Sequence, residues 1–343
     1  MNYYKIQWLS ICWACLFALH TNMVDAQSSK INGLTVVGVP SAYTANPIPR
    51  LKQTHANWIC LVPYGFGKIG STDIKYNLDW QWWGEKREGI IETIRLAKAQ
   101  NLKVLLKPQI YFHGSWPGDL DFKTENEWQN WEASYKKFIT FFLEIAECEN
   151  LEMFCIGTEF KQSVTKRNDF WVHLIKEARK IYTGEITYSS NWDHFNTIDF
   201  WNELDYIGIS AYYPLVDKKT AAVNDIVKAW KPTLKKLKKV SDKTGKSILF
   251  TEYGYLSVDG CTYENWNLEK RINSLNVNQQ AQADAFDALY KVFSDQDFWA
   301  GGFIWKWFPN NQGHEGYIDK DYTPQDKLAE KVIADWFKKM QAH

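Results

Sequence analysis

Cys155-Ile156-Gly157-Thr158-Glu159 and Leu249-Phe250-Thr251-Glu252-Tyr253-Gly254 have the same form: an apolar, β-compatible run that stops at a glutamate. A carboxylate inside a strand, buried without a partner, is strongly unfavourable. At a strand's carboxyl end, facing a cleft, it is available for chemistry. Two glutamates placed this way can divide the cleavage of a glycosidic bond. One protonates the departing oxygen while the other attacks the anomeric carbon. That division needs the two groups in different protonation states, which burial of one and hydrogen bonding of the other can supply. A tyrosine in Ala211-Tyr212-Tyr213-Pro214, either Tyr212 or Tyr213, is a candidate donor to the charged partner.

Eight short β-type runs could position these residues: 34–39, 58–63, 102–107, 153–157, 186–190, 206–210, 248–251 and 302–305. Most are continuously apolar, as expected of parallel strands covered by helices. Helical patterns fall between them over 85–100, 125–148, 169–182, 223–244, 278–294 and 324–340. Thr124 or Glu125 and Asn278 read as N-caps, and Gly184 and Gly245 as stops. The first and fifth connections are too short for a full helix. Strict strand–helix alternation without a Gly-rich phosphate turn predicts an α/β fold, a single (β/α)8 TIM barrel, over 27–343. Glu159 and Glu252 then end strands four and seven at the face where barrel enzymes keep their chemistry. Side-chain alternation aligns Glu159 with Gly157 and Cys155, and Glu252 with Phe250 and Ile248, so both should point over the barrel axis.

Composition narrows the function. Forty basic and forty acidic residues give zero net charge, and the lysines at 235, 236, 238 and 239 share one polar helix face. Nucleic acid is therefore not an expected partner. Residues 1–26 read as a secretory signal peptide: Lys5, an apolar stretch from Ile11 to Leu19, and Val24-Asp25-Ala26 before the cut. The apolar stretch is shorter than the roughly 20 residues needed to span a bilayer. A secreted or periplasmic protein is expected. Cys60 and Cys155 sit in strand runs and read as buried thiols, and no cysteine spacing matches a zinc site. Aromatic residues make up 16% of the chain. Many are core, such as the stripe Trp128, Trp131, Tyr135, Phe138 and Phe142, whereas Trp116, Trp192, Tyr212, Tyr213, Trp305 and Trp307 fall at strand ends beside polar residues. Flat rings there suit the C–H faces of sugars.

Five motifs in order carry a family resemblance. They are Leu105-Leu106-Lys107-Pro108, Cys155 to Glu159, Ile209-Ser210-Ala211-Tyr212-Tyr213-Pro214, Leu249 to Gly254, and Gly301-Gly302-Phe303-Ile304-Trp305-Lys306-Trp307. With these the chain resembles the large retaining clan of barrel glycoside hydrolases, and more narrowly glycoside hydrolase family 113, whose characterised members are endo-β-1,4-mannanases. The resemblance implies Glu159 as acid/base, Glu252 as nucleophile and Trp305 as the platform under the reacting sugar. Thr158 stands where the clan usually has asparagine.

Further candidate substrate contacts are Lys107, which closes an apolar strand and needs a polar partner, Gln109 and His113 on the same loop, and Asn191-Trp192 after strand five. The expected activity is hydrolysis of a β-linked polysaccharide, most simply β-mannan, by a monomer needing no cofactor and no metal. A β-glucanase or xylanase of the same clan, a transglycosylase and a non-catalytic sugar-binding barrel are the alternatives.

Overall fold

Eight parallel strands close on themselves in the computed structural model, which describes residues 30–309 and 319–342. The barrel strands are β1 (Ile31–Val36), β2 (Trp58–Leu61), β4 (Lys103–Leu106), β6 (Met153–Thr158), β7 (Glu185–Asn191), β8 (Tyr206–Ser210), β9 (Ser247–Tyr253) and β10 (Trp299–Trp307). They pair in that order, and β10 returns to β1. A separate parallel pair, β3 (Tyr64–Gly67) and β5 (Gln109–Phe112), prolongs β2 and β4 beyond the barrel. The helices are α1 (Ile48–Lys52), α2 (Arg87–Lys98), α3 (Glu125–Cys148), α4 (Lys161–Lys166), α5 (Asn168–Ile181), α6 (Val223–Thr244), α7 (Asn265–Glu269), α8 (Gln279–Phe293) and α9 (Leu328–Gln341). This is the (β/α)8 barrel expected. The signal-peptide reading of 1–26 lies outside the described residues.

Strand alternation divides the interior into two apolar masses. Trp58, Cys60, Leu105, Met153, Cys155, Leu249 and Phe303 fill the barrel, whereas Ile59, Leu106, Phe154, Ile207, Ile248 and Phe250 face the helices. Cys60, Cys155 and Cys261 are buried free thiols and Cys148 is an exposed one. The stripe on α3 is core throughout, with Trp131 stacked on Tyr135 at 4.9 Å. Thr124 caps α3 in a reciprocal box with Glu127, and the Asn278 side chain accepts from Ala281 N–H at the start of α8.

Some boundaries differ from expectation. The first strand runs 31–36 rather than 34–39, because Val39 and Pro40 instead accept from Gly84 and Trp83 N–H. The last helix begins at Leu328, not Pro324. The Gln325 side chain is taken up by the backbone of Phe308, and Asp326 has φ +57°. No helix of the described residues is long and apolar enough to cross a membrane.

The expectation that alternation aims both glutamates is overturned. Cys155 points into the barrel, but a Cβ on Gly157 would meet Trp171 and Tyr188 on the helix side, and Phe250 and Ile248 face the helices as well. Alternation from Ile248 and Phe250 would turn Glu252 away from the axis, and in β6 the alternation is already broken between Cys155 and Gly157. Each strand breaks register just before its glutamate: Cys155 pairs with Thr187 but Thr158 with Ser189, and Leu249 pairs with Gly208 but Glu252 with Ser210. The extra residue in each strand is a bulge, which re-aims the side chain that follows.

Two glycines separate steric from conformational demands. Gly245 ends α6 at φ +69° with open space where a Cβ would stand. Gly301, at φ +112°, would place a Cβ 2.2 Å from the Ile31 carbonyl oxygen across the β10–β1 seam. Gly245→Ala should therefore cost about 1 kcal/mol of stability, the left-handed penalty alone. Gly301→Ala should cost several times more, because the seam must part. Urea unfolding of both variants measures the difference, and equal losses would contradict the seam argument.

Candidate active site

Glu159 follows β6 with φ +60°, a conformation uncommon outside glycine. Its neighbours hold it there. Glu159 N–H donates to Ser189 O at 2.8 Å, its own carbonyl accepts from Lys161 N–H at 2.8 Å, and Phe160 N–H donates to the Tyr188 hydroxyl at 2.8 Å. The partly buried carboxylate receives the Trp116 indole N–H at Oε2, 2.6 Å away. Burial, followed by the nearby charge of Glu252, raises the Glu159 pKa. Trp116, Ser210 and Lys107 pull the other way and do not offset this.

Glu252 lies in a different environment. Lys107 Nζ is 2.7 Å from Oε2, the Tyr212 hydroxyl donates to Oε1 at 2.7 Å, and Gln109 Nε2 is 3.4 Å from Oε2. Lys107 is fully enclosed, and its ammonium also reaches the Thr251 carbonyl at 3.4 Å. Burial alone would lower the Lys107 pKa, but the charge and hydrogen bond of Glu252 turn the net shift upward and keep the cation. Burial and then Glu252 push the Tyr212 phenol far up, so it remains a donor. Beneath both carboxylates, Ser189 Oγ lies 3.0 Å from Ser210 Oγ and 2.6 Å from Thr251 Oγ1, linking β7, β8 and β9.

Three of the expected contacts, Lys107, Gln109 and Tyr212, thus converge on Glu252. Lys107 has no surface left for a ligand and stands behind the carboxylate. Of the two tyrosines it is Tyr212 that donates. The Tyr213 ring packs on Trp192 and Trp230, and its buried hydroxyl has no hydrogen-bond partner among the described residues. Asn191 ends β7 with its amide on Asp193 Oδ1 at 2.8 Å, and Trp192 stacks on Trp266 at 5.9 Å. His113 is exposed, 3.4 Å from the Tyr111 hydroxyl, and is not joined to either carboxylate. Trp305, partly buried near the end of β10, is a common wall of two cavities of about 510 and 360 Å³. The partnership of Trp116 with Glu159 is new: nothing in the local sequence of either residue ties them.

A mouth with one carboxylate held by an ammonium and a phenol, and another of raised pKa, can move a proton and stabilise developing positive charge. The family model of Glycoside Hydrolase Family 113 matches residues 40–327. A solved family 113 β-1,4-mannanase is similar at 27% identity and a TM-score of 0.77, covering 90% of this chain and 99% of the other. The family 113 β-mannanase of Alicyclobacillus acidocaldarius in complex with ManMIm is similar at 25% identity and a TM-score of 0.79, covering 91% and 98%. A β-glucuronidase of Ruminococcus gnavus, at 14% identity and a TM-score of 0.62 over 50% of its own length, shares the fold. No curated protein matches the chain in sequence. Barrel and family together make the protein a glycoside hydrolase. It belongs to glycoside hydrolase family 113.

The Glu159 environment has a consequence for stability. Its folded pKa lies above the ordinary 4.5, so the folded state disfavours its ionisation. The associated stability is fully present below the unfolded pKa and is lost as pH rises through the folded one. Glu159→Gln is neutral at every pH. It should melt above the wild type at pH 7, and the gap should close near pH 4. Paired melts across that range measure it; a gap independent of pH would contradict the burial of the charge.

Proposed function

We propose that the protein is a secreted endo-β-1,4-mannanase that retains anomeric configuration. The observation that carries the mechanism is the unequal environment of two carboxylates at one barrel mouth. Glu159, whose pKa burial raises, protonates the glycosidic oxygen as the bond to the anomeric carbon breaks. Glu252, paired with the Lys107 ammonium and accepting from the Tyr212 hydroxyl, forms the new bond to that carbon and gives a glycosyl-enzyme. Glu159, now deprotonated, takes a proton from water. The resulting nucleophile attacks the same carbon from the vacated face and releases Glu252.

Trp305 would lie under the reacting sugar. The choice of mannan draws on the likeness to the two β-mannanases, and export draws on residues 1–26.

Glu252→Ala should abolish turnover and lower the melt, because it leaves the enclosed Lys107 ammonium without its partner, and azide should partly restore cleavage of an activated aryl glycoside by the folded fraction. Glu159→Ala should reduce turnover of unactivated substrate by about 10²–10⁴-fold, the usual weight of general acid catalysis. The loss should be far smaller for a substrate whose leaving group needs no proton. Retention of activity in Glu252→Ala would remove it as nucleophile. A reducing-sugar assay over mannan, glucomannan, xylan and β-glucan checks the substrate, and preference for either of the last two would replace mannan.

A further inference from the structure

Four large apolar side chains stand exposed among the described residues: Trp80, Tyr111, Val277 and Leu328. Two of them, Trp80 at 66% exposure and Tyr111 at 46%, line the same 510 Å³ cavity, which is continuous with Trp305. Clustered exposed aromatics at a cleft mark a binding surface more than scattered ones do. The wall is also built rather than loose. Phe66 sits between the two rings, 4.9 Å from Trp80 and 6.1 Å from Tyr111. The loop carrying Trp80 is pinned at Gly84 N–H to Val39 O (2.8 Å), Trp83 N–H to Pro40 O (3.2 Å) and Gln81 Nε2 to Tyr64 O (2.7 Å).

The same cavity holds a carboxylate. Glu85 is partly buried, receives Gln81 Nε2 at 3.2 Å, and has no lysine or arginine partner among the described residues. A carboxylate in such a place has acceptor capacity left for hydroxyl donors. Its place beside flat rings lining the same cavity matches a pyranose, whose C–H face is apolar and whose rim carries hydroxyls.

We propose that this cavity is a distal sugar subsite on the glycone side, with Trp80 stacking on a pyranose face and Glu85, oriented by Gln81, accepting its hydroxyls. The direction rests on the proposed role of Glu159. The leaving group departs on the side of the acid, which is carried by β6. The cavity is walled by β1, β10, the β3–β5 pair that prolongs β2 and β4, and the loop carrying Trp80, and β10 lies opposite β6 in the ring of strands. Sugars retained on the enzyme therefore run toward Trp80.

The test is the ratio of kcat/KM for β-1,4-mannohexaose to that for β-1,4-mannotriose, read within each preparation so that any misfolded fraction cancels. Trp80→Ala and Glu85→Gln should each lower this ratio about tenfold, or roughly 1.4 kcal/mol of binding to the added sugars. In hexaose labelled at the reducing end, cleavage should move toward the non-reducing end. Ratios within about twofold of the wild type in both variants, or an equal loss on both lengths, would overturn the subsite. If the wild type ignores mannosides, the substrate reading fails instead, and the same ratio is read in the gluco- or xylo-series it does cleave.

Discussion

A lysine with no exposed surface, paired to a carboxylate at the mouth of an apolar barrel, is the constraint around which the site is arranged. Taking an ammonium and a carboxylate out of water costs several kcal/mol per ion, and only close geometry with further hydrogen bonds offsets it. The barrel meets that demand with elements distant in sequence. Lys107 follows β4, Glu252 lies on β9, Tyr212 follows β8, and Gln109 opens β5. Removing any one leaves a buried donor or acceptor short of a partner. Cys60 and Cys155 face the same ammonium, and burial holds the Cys60 thiol up at about 12, so it stays neutral there. The lysine's charge then acts on the carboxylates, first on Glu252 at 2.7 Å and more weakly on Glu159.

The second carboxylate is the same residue type with the opposite surroundings. Glu159 has an indole N–H where Glu252 has a cation, and it feels the charge of Glu252 besides. Its left-handed backbone is uncommon and persists because three backbone hydrogen bonds around it over-determine the conformation. Together with the bulge before it, that conformation puts the carboxylate over the mouth. In β9 the bulge brings Glu252 to the mouth, where regular alternation from Phe250 would have turned it away.

Stability and binding are carried by different layers. The helix-facing mass, from Trp131 and Tyr135 to Phe250 and Phe293, is closed and aromatic-rich. The β3–β5 pair packs one face on that mass and raises a wall of rings, Phe66 and Tyr111, beyond the barrel rim. Ile110 and Phe112 of β5 are buried in the core, whereas Tyr111 between them is exposed to the cleft, so the two faces of one strand serve the two layers.

Much of this was legible from residue order. The eight apolar runs, the stripe on α3, the caps at Thr124 and Asn278 and the stop at Gly245 are local signals, set by propensity and periodicity within a few residues. That Glu159 and Glu252 end strands was equally local, as was the need of Lys107 for a polar partner. Which partner it takes, which of Tyr212 and Tyr213 donates, and the approach of Trp116 to Glu159 were not. These are contacts between residues far apart in the chain, and nothing in a local window encodes them. The β3 and β5 strands are too short to show a period. The aim of the glutamates misled for a related reason: alternation holds only while pairing stays in register, and a bulge is decided by how two neighbouring strands meet. Sequence determined that two carboxylates would reach the end of a barrel, and the packing of strand against strand decided that the charge of one would be felt by the other while a lysine and a tyrosine from other strands held the first.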